Sequence, residues 1–575
     1  MEKEINNEKL NDEYEKKCFE LAHYIFPDVD ETVMDLEVKY PVRRLKEGAI
    51  VTRIAPSPTG FMHTGSLFQA MVHRKLSMQT GGVYFLRIED TDQKREIEGA
   101  IKKFTEELNY FGLSPDEGVI SDTKEIGDYG PYVQSKRANI YRICAKHLVE
   151  KGLAYPCFCT PDMLAATHEA QERNKIIPGY YGVYAKCRNI SIDESIRRVK
   201  AGEKFILRFR SNGSHFNKIS FVDGARGKIE IAENEQDVVI LKGDGLPTYH
   251  FAHVCDDHFM RTTHVVRGEE WIPSTPIHIQ LFNAMGFDIP TYVHTPLILV
   301  KDGSSKRKLS KRKDKEAAVS YFIEAGYPKA GVLEYLMTIL NSDYEMWKNK
   351  NKDKTFIDFE FKLNKMSSAG SLFDMPKLND LCKEEIAKLD SKQVLDEVLN
   401  WSKKYSKNTY DVISKDLEYS QKVFAIERDG AKKIRKDLVK WEDVIPTFFY
   451  FFNDIYEKEI EENGYMFEYI ENENAKVSKE LTNKVLDEYS KLYDGALEKD
   501  AWFEQVKEIA NNLGFCTDMK EYKKNPENYI GSTADFTGIL RIALTNRKNS
   551  PDIYQIMQLL GKDEVSRRLQ KAICK

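Results

Sequence analysis

The stretch AIVTRIAPSPTGFMHTGSLFQAMVHRKLSMQTGGVYFLRI, residues 49–88, sets the fold class. Residues 49–54, AIVTRI, are a short strand-like run. Pro56, Pro58, Gly60 and Gly65 then punctuate a loop. Leu67, Phe68, Met71, Val72 and Leu76 follow at helical spacing, and Gly81-Gly82 closes that helix. Residues 83–88, VYFLRI, are a second strand. Strand, helix and strand within about forty residues make a βαβ unit, which requires a parallel sheet. The loop does more than turn the chain. A helix N-terminus presents unpaired N–H groups and a partial positive charge, and glycine lets a phosphate approach the backbone. His63 and Gly65 stand at that helix mouth. His63 offers a hydrogen bond to a phosphoryl oxygen, and Gly65 leaves room for a base or ribose.

The rest of the chain is organised around this unit. Its 575 residues exceed what one core holds, so several domains are expected. Residues 1–48 are polar, helical in pattern, and read as an N-terminal helical extension. The span 121–236 mixes helices with irregular segments and carries Cys157-Phe158-Cys159. Strand-and-helix alternation returns over 237–300: DVVILK, THVVRG, a helix near 274–285, then HTPLILV. An insertion at 121–236 thus splits one nucleotide-binding domain made of 49–120 and 237–300. A long insertion in a surface connection costs little in loop closure. A basic loop and helices occupy 301–375, and 376–575 is helical in pattern. The expected fold class is α/β: a Rossmann-like parallel-sheet catalytic domain split by an insertion, followed by an α-helical C-terminal region.

Composition excludes less than it permits. The net charge of −5 leaves nucleic-acid binding open, because a local basic face matters more than the total. There is no uninterrupted apolar run of about 18 residues, so no membrane span is expected. The first twenty residues are highly charged and lack an apolar core, so no secretory signal is expected. Nine scattered cysteines suit a reducing cytoplasm better than a disulfide framework.

Two charged clusters add chemistry. Arg87-Ile88-Glu89-Asp90-Thr91-Asp92 ends the second strand, where parallel sheets bind ligands. Its carboxylates either cap a solvated turn or hold a substrate ammonium. Residues 301–315, KDGSSKRKLSKRKDK, carry eight Lys or Arg against two Asp. That run is either a solvated loop or, at Lys308-Leu309-Ser310-Lys311-Arg312, a compact mobile loop that brings an ammonium to a transferring phosphate.

Taken together, HTGS at 63–66 and KLSKR at 308–312 resemble the HIGH and KMSKS signatures of class I aminoacyl-tRNA synthetases, in order and 245 residues apart. RIAPSPTG, RIEDTD, GLPTYHFAHVCDDH, VVRGEEW and STPIHIQL resemble the bacterial-type glutamyl-tRNA synthetase subfamily over residues 49–315. Glutaminyl enzymes typically read PEPNG where this chain has Pro56-Ser57-Pro58-Thr59-Gly60. Ser66 replaces the last His of one signature, and Leu309 replaces the Met of the other, a volume-conserving exchange.

The resemblance implies a two-step ligase. L-Glutamate is activated by ATP, with Mg²⁺, and then transferred to the 3′ end of tRNA-Glu, which in this family must usually be bound before activation. His63, Gly65, Lys308 and Lys311 would act electrostatically, with His63, Gly65 and Lys311 binding ATP. Arg53 and Arg267 would take substrate carboxylates, as guanidinium does in bidentate fashion. Glu89 would hold the ammonium, and Ala55, Ser57 and Tyr249 would line the pocket. His253 stands where relatives often have Asn or Val. Some relatives hold a structural zinc with CxC and a later Cys-x-His. Here Cys157, Cys159 and Cys187 remain and the histidine is absent: either Tyr181, Tyr184 or His168 completes a zinc site, or the three are buried cysteines without a metal. Residues 121–236 would bind the acceptor stem, 301–375 would hold the signature loop and stem-contact helices, and 376–575 would read the anticodon. A paralogue that modifies a tRNA base lacks this last part. The family further implies a cytoplasmic monomer. Two alternatives stay open: an enzyme that also charges tRNA-Gln, and a tRNA-binding paralogue without catalysis.

Overall fold

The computed structural model describes residues 2–58, 60–92, 97–367, 370–474 and 476–573. They fall into two compact units, residues 1–321 with 333–374, and residues 322–332 with 375–575. In the first unit, α1 (Glu2–Ile25) and α2 (Val33–Lys39) precede β1 (Val51–Ile54), α3 (Thr64–Thr80), β2 (Val83–Leu86), α4 (Ala100–Tyr110), β3 (Glu117–Ser121) and β4 (Lys124–Ile126). The next segment holds α5 (Ala138–Glu150), β5 (Ala154–Cys157), α6 (Pro161–Arg173), α7 (Ile192–Lys200), β6 (Ile206–Phe209), β7 (Lys218–Asp223), β8 (Gly227–Ala232) and β9 (Val239–Leu241). Then come α8 (Tyr249–Phe259), β10 (His264–Gly268), α9 (Thr275–Met285), β11 (Thr291–Thr295), β12 (Ile298–Asp302) and β13 (Ser305–Lys308).

The central sheet has the order β11-β10-β1-β2-β3-β4. Every neighbouring pair from β11 to β3 is parallel, and β4 is antiparallel on β3. Helices cover both faces of such a sheet, which is why β1 is buried at all four positions. From β1 the chain runs outward through β2 and β3, then returns to lay β10 on the other side of β1. The strand order therefore reverses between β1 and β10, and the crevice beyond their carboxyl ends is where such sheets bind ligands. Arg53 and Arg267 sit on those two strands.

Three sequence readings change. DVVILK does not rejoin the parallel sheet: β9 pairs with β6, completing a three-stranded sheet β5-β6-β9 with the inserted segment. A three-residue strand carries too little pattern to say which sheet it joins. HTPLILV is not one strand. Pro296 has no N–H to continue a ladder, and β11 ends before it while β12 joins a separate small sheet with β13 and residues 371–372. The first half of the basic run is therefore a β-hairpin, turned at Gly303 with φ +61°.

The extension folds onto this unit. α1 packs on α5 and α7. Thr32 and Asp35 form a capping box on α2. Arg43 donates to both oxygens of Glu117 (2.7 and 2.9 Å) and lies over the Tyr129 ring at 3.9 Å. The second unit is helical, with one apolar core around Val394, Trp401, Ile413 and Trp441 and another around Val485, Trp502, Phe536 and Leu569. No helix among the described residues is long and apolar enough to cross a membrane.

Candidate active site

His63 is the N-cap of α3, and its Nδ1 accepts a hydrogen bond from the Gly65 N–H (2.9 Å). The proton of the neutral ring is then on Nε2, the tautomer that can donate. Burial and the Lys311 ammonium push this histidine down to about 4, against the opposing pull of the Leu309 carbonyl. It is therefore neutral near pH 7. A Cβ at residue 65 would lie 3.2 Å from His63 Nδ1, so the glycine protects that cap as well as leaving space above it.

The two signatures meet here. Val319 N–H donates to the Met62 carbonyl (3.2 Å), Thr64 Oγ1 donates to the Glu316 carbonyl (2.6 Å), and Lys311 Nζ contacts the Phe61 carbonyl. Lys308 Nζ is paired with Glu270 Oε1 at 2.7 Å. His63, Gly65, Gly268, Glu270, Leu297 and Lys308 line a cavity of about 210 Å³ at this point. A Cβ at Gly268 would fall 1.9 Å from Glu270 Oε2, so a side chain there would push the Glu270 carboxylate away from its present place beside Lys308.

Arg267, just before Gly268 of this cavity, belongs to a buried, highly charged cluster. Arg53 Nε donates to both oxygens of Asp257 (2.9 and 3.2 Å). Arg87 donates to Asp257 Oδ1 (2.7 Å) and to Glu89 Oε1 (3.0 Å). Burial raises the Glu89 carboxyl above its usual range, although Arg87 and Arg53 pull the other way. Tyr249 opens α8 and faces Trp271 at 4.6 Å between ring centres. Its hydroxyl is raised by burial and feels Glu89, Arg267 and Arg53. His253, one turn along α8, donates from Nδ1 to Asp257 (2.7 Å) and accepts from the Tyr292 hydroxyl at Nε2 (3.1 Å). Burial lowers it to about 3. Arg267 stands opposite, donating to His294, His278 and Thr275. Ala55 and Ser57 lie on the loop leaving β1, half-buried and exposed respectively.

Arg53, Glu89, Tyr249 and Arg267 are thus gathered into one buried cluster, and Arg267 directly precedes Gly268 of the cavity lined by His63 and Lys308. Arg87, Asp257, His278 and His294 belong to it too and were not singled out in the sequence. For Asp257 a signal was present: Asp256 and Asp257 are consecutive acids between the apolar residues Phe251, Ala252, Val254 and Phe259, and the structure buries both almost wholly. A buried charge demands a partner of opposite sign.

Away from this pocket, the sulfurs of Cys157, Cys159 and Cys187 lie within 4.8 Å of one another. The fourth group against them is Tyr180, whose oxygen is 3.3 Å from Cys157 Sγ and 3.4 Å from Cys159 Sγ. Tyr181 instead donates to the Ile177 carbonyl (2.6 Å), His168 pairs with Glu172, and Tyr184 packs edge-on against Tyr181. Hydrogen bonding from Cys187 lowers the Cys157 thiol well below its usual range.

Residues 49–380 match the family model for tRNA synthetases class I (E and Q), catalytic domain. The chain is 48% identical over 551 residues to a glutamate–tRNA ligase of Clostridium perfringens, covering 96% of this chain and 98% of that one. This chain belongs to the glutamate–tRNA ligase family. A ligase of Acetivibrio thermocellus is 42% identical, with 96% and 99% covered. Residues 532–573 match an anticodon binding domain. Among solved structures, a glutamate tRNA ligase from Elizabethkingia meningosepticum in complex with its amino acid superposes with a TM-score of 0.70 at 26% identity, covering 92% of this chain and 99% of that one. The glutamate–tRNA ligase family accounts for the parallel sheet, the inserted segment and the helical C-terminal unit together.

Proposed function

We infer that this chain is a glutamate–tRNA ligase. An α-carboxylate oxygen of L-glutamate attacks the α-phosphorus of ATP. The bond from that phosphorus to the bridging oxygen breaks, and pyrophosphate leaves. A ribose hydroxyl at the 3′ end of tRNA-Glu then attacks the glutamyl carbonyl, and AMP leaves. The observation that carries this reading is Arg267: a buried guanidinium, across the sheet's switch point from Arg53, with no carboxylate partner among the described residues. Arg53 and Arg267 would hold substrate carboxylates, Glu89 the ammonium, and Ala55, Ser57 and Tyr249 the pocket wall. His63, through its Nε2 proton, and Lys308 and Lys311 would steady the phosphates. Gly65 would let the nucleotide lie against the helix mouth. No side chain acts as a nucleophile; positioning and charge neutralisation carry the chemistry. ATP enters as its Mg²⁺ complex.

We further propose that residues 121–236 receive the acceptor stem, 301–375 the inner stem, and 376–575 the anticodon arm. The protein would work as a cytoplasmic monomer, which fits the eight free cysteines among the described residues. Cys157, Cys159 and Cys187 with the Tyr180 oxygen form a donor set that fits one structural zinc ion, three thiolates and one oxygen. When bound, the ion would pin β5 to the 180–187 segment. Purified protein with less than roughly a tenth of an equivalent of zinc overturns that site. The function itself is tested by charging purified tRNA-Glu and tRNA-Gln side by side. Glutamate on tRNA-Glu supports it, glutamate on both identifies a non-discriminating enzyme, and charge on neither leaves a binding paralogue.

A further inference from the structure

The buried arginines of the pocket are not equivalent. Arg53 and Arg87 are both neutralised by Asp257, and Arg87 also by Glu89. Arg267 is 5% exposed and makes no ion pair among the described residues. Its guanidinium is held by neutral acceptors instead. Nε donates to His294 Nε2 (3.1 Å), Nη1 to His278 Nδ1 (3.0 Å), and Nη2 to Thr275 Oγ1 (2.7 Å) and the Trp271 carbonyl (3.4 Å). The Tyr292 ring lies 4.6 Å beneath it.

Each acceptor is itself oriented. His294 is the register neighbour of Arg267 on the adjoining parallel strand. Its Nδ1 meets Asp223 Oδ2 at 2.6 Å, which fixes the proton on Nδ1 and leaves Nε2 bare to accept. Asp223 is held in turn: its Oδ1 accepts from the Ala225 and Arg226 N–H groups, both at 2.9 Å, and its Oδ2 from the His294 N–H at 3.1 Å. The β7–β8 turn that bears it docks against β11 through the Gly224 N–H, which donates to the Tyr292 carbonyl (2.8 Å). His278 has the complementary arrangement. Its Nδ1 accepts from Arg267, so its Nε2 proton faces His250 Nδ1 at 3.0 Å.

We propose that His294, with Asp223 behind it, and His278 are positioning residues that orient Arg267 and thereby set the preference for glutamate over glutamine. This rests on the ligase reading above. Four neutral acceptors spread over the three nitrogens fix the plane of the guanidinium, and none of them cancels its charge. A carboxylate arriving in the pocket supplies the missing negative charge; an amide does not. Had Asp223 paired with Arg267 directly, the charge would already be cancelled. Placing the histidine between them transmits orientation without neutralisation. Burial holds both histidines below their usual range, which keeps them acceptors at neutral pH.

The test uses the full chain and the variants His294→Leu, His294→Gln and His278→Leu, each checked for a parental melting curve. Steady-state aminoacylation is measured against glutamate, ATP and glutamine. His294→Leu should raise the KM for glutamate about tenfold or more, leave the KM for ATP within about twofold, and narrow the glutamate-to-glutamine ratio of kcat/KM about tenfold. His294→Gln, which can still accept from Arg267, should recover most of that loss. His278→Leu should shift the same quantities, and serves alone if His294→Leu does not fold. A glutamate KM within about twofold of the parent, a parallel rise in both KM values, or no recovery in His294→Gln overturns the proposal. A parent chain that charges no tRNA-Glu overturns the ligase reading instead.

Discussion

Asp257→Asn is the most severe single-atom test of the pocket. Asp257 is fully buried and binds Arg53, Arg87, His253 and the Thr262 hydroxyl. The asparagine keeps the shape but turns one acceptor oxygen into a donor NH₂ facing donors, and removes the charge that two buried guanidiniums share. Removing one partner of a buried ion pair costs about 3–5 kcal/mol. At about 1.4 kcal/mol per factor of ten, the opening equilibrium around α8 rises by about 10² to 4 × 10³. Hydrogen exchange reads this directly: amides of α8 and the ends of β1 and β2 should exchange faster by that factor, while helices of the second unit keep their rates. The glutamate KM should rise as well, because Arg53 loses its anchor. The effect has a pH signature. Arg53 and Arg87 hold the Asp257 carboxyl well below its usual range. Its stabilisation is therefore complete above the unfolded value near 4 and is lost as pH falls through the folded one. The gap between parent and variant should be flat above about pH 5 and close in acid. An acceleration in α8 below about fivefold, with the glutamate KM unchanged, would refute the argument.

Three further outcomes follow from the same geometry. Arg267→Ala should cut kcat/KM for glutamate by about 10² to 10⁴, the worth of two charge-assisted hydrogen bonds, while ATP still binds by calorimetry; an unchanged glutamate KM would contradict it. Because burial and Lys311 push His63 down to about 4, its ring should show no titration by NMR between about pH 5.5 and 8 in the free enzyme, and a histidine titrating near 6.5 there would remove it from the neutral-donor role. Affinity for tRNA should fall linearly in log–log against salt, and a flat response would speak against a phosphate-dominated contact.

The sequence reading was strongest where periodicity is long. The run from β1 through α3 to β2 was legible because alternating patterns and a Gly-Gly stop agree over forty residues. β9 and β12 were misassigned because three to five apolar residues carry no information about their partner strand. In the pocket, Arg53, Glu89, Tyr249 and Arg267 were found through words that resemble a family. Asp257 and His278 sat inside those same words, and His294 opened the run HTPLILV, but all three were passed over, because their roles exist only between strands and helices. Asp223 is on a hairpin seventy-one residues before His294, and nothing local in VDGAR says that its side chain ends beside β11. Tyr180 was displaced by its neighbour Tyr181 for a similar reason: adjacent residues differ only in the direction they face.

The way the inserted segment is sewn into the sheet limits how the molecule can be altered. Its last strand, β9, runs into Tyr249 through residues 242–248, and its β7–β8 turn delivers Asp223 to His294. Two sides of the proposed amino-acid pocket thus hang from a segment that looks, in the linear sequence, like a detachable cassette. An insertion borrowed from a relative would bring its own turn and its own lead into α8. The proposed amino-acid site would be reset along with the proposed RNA-facing surface, so on this reading the two cannot be engineered independently.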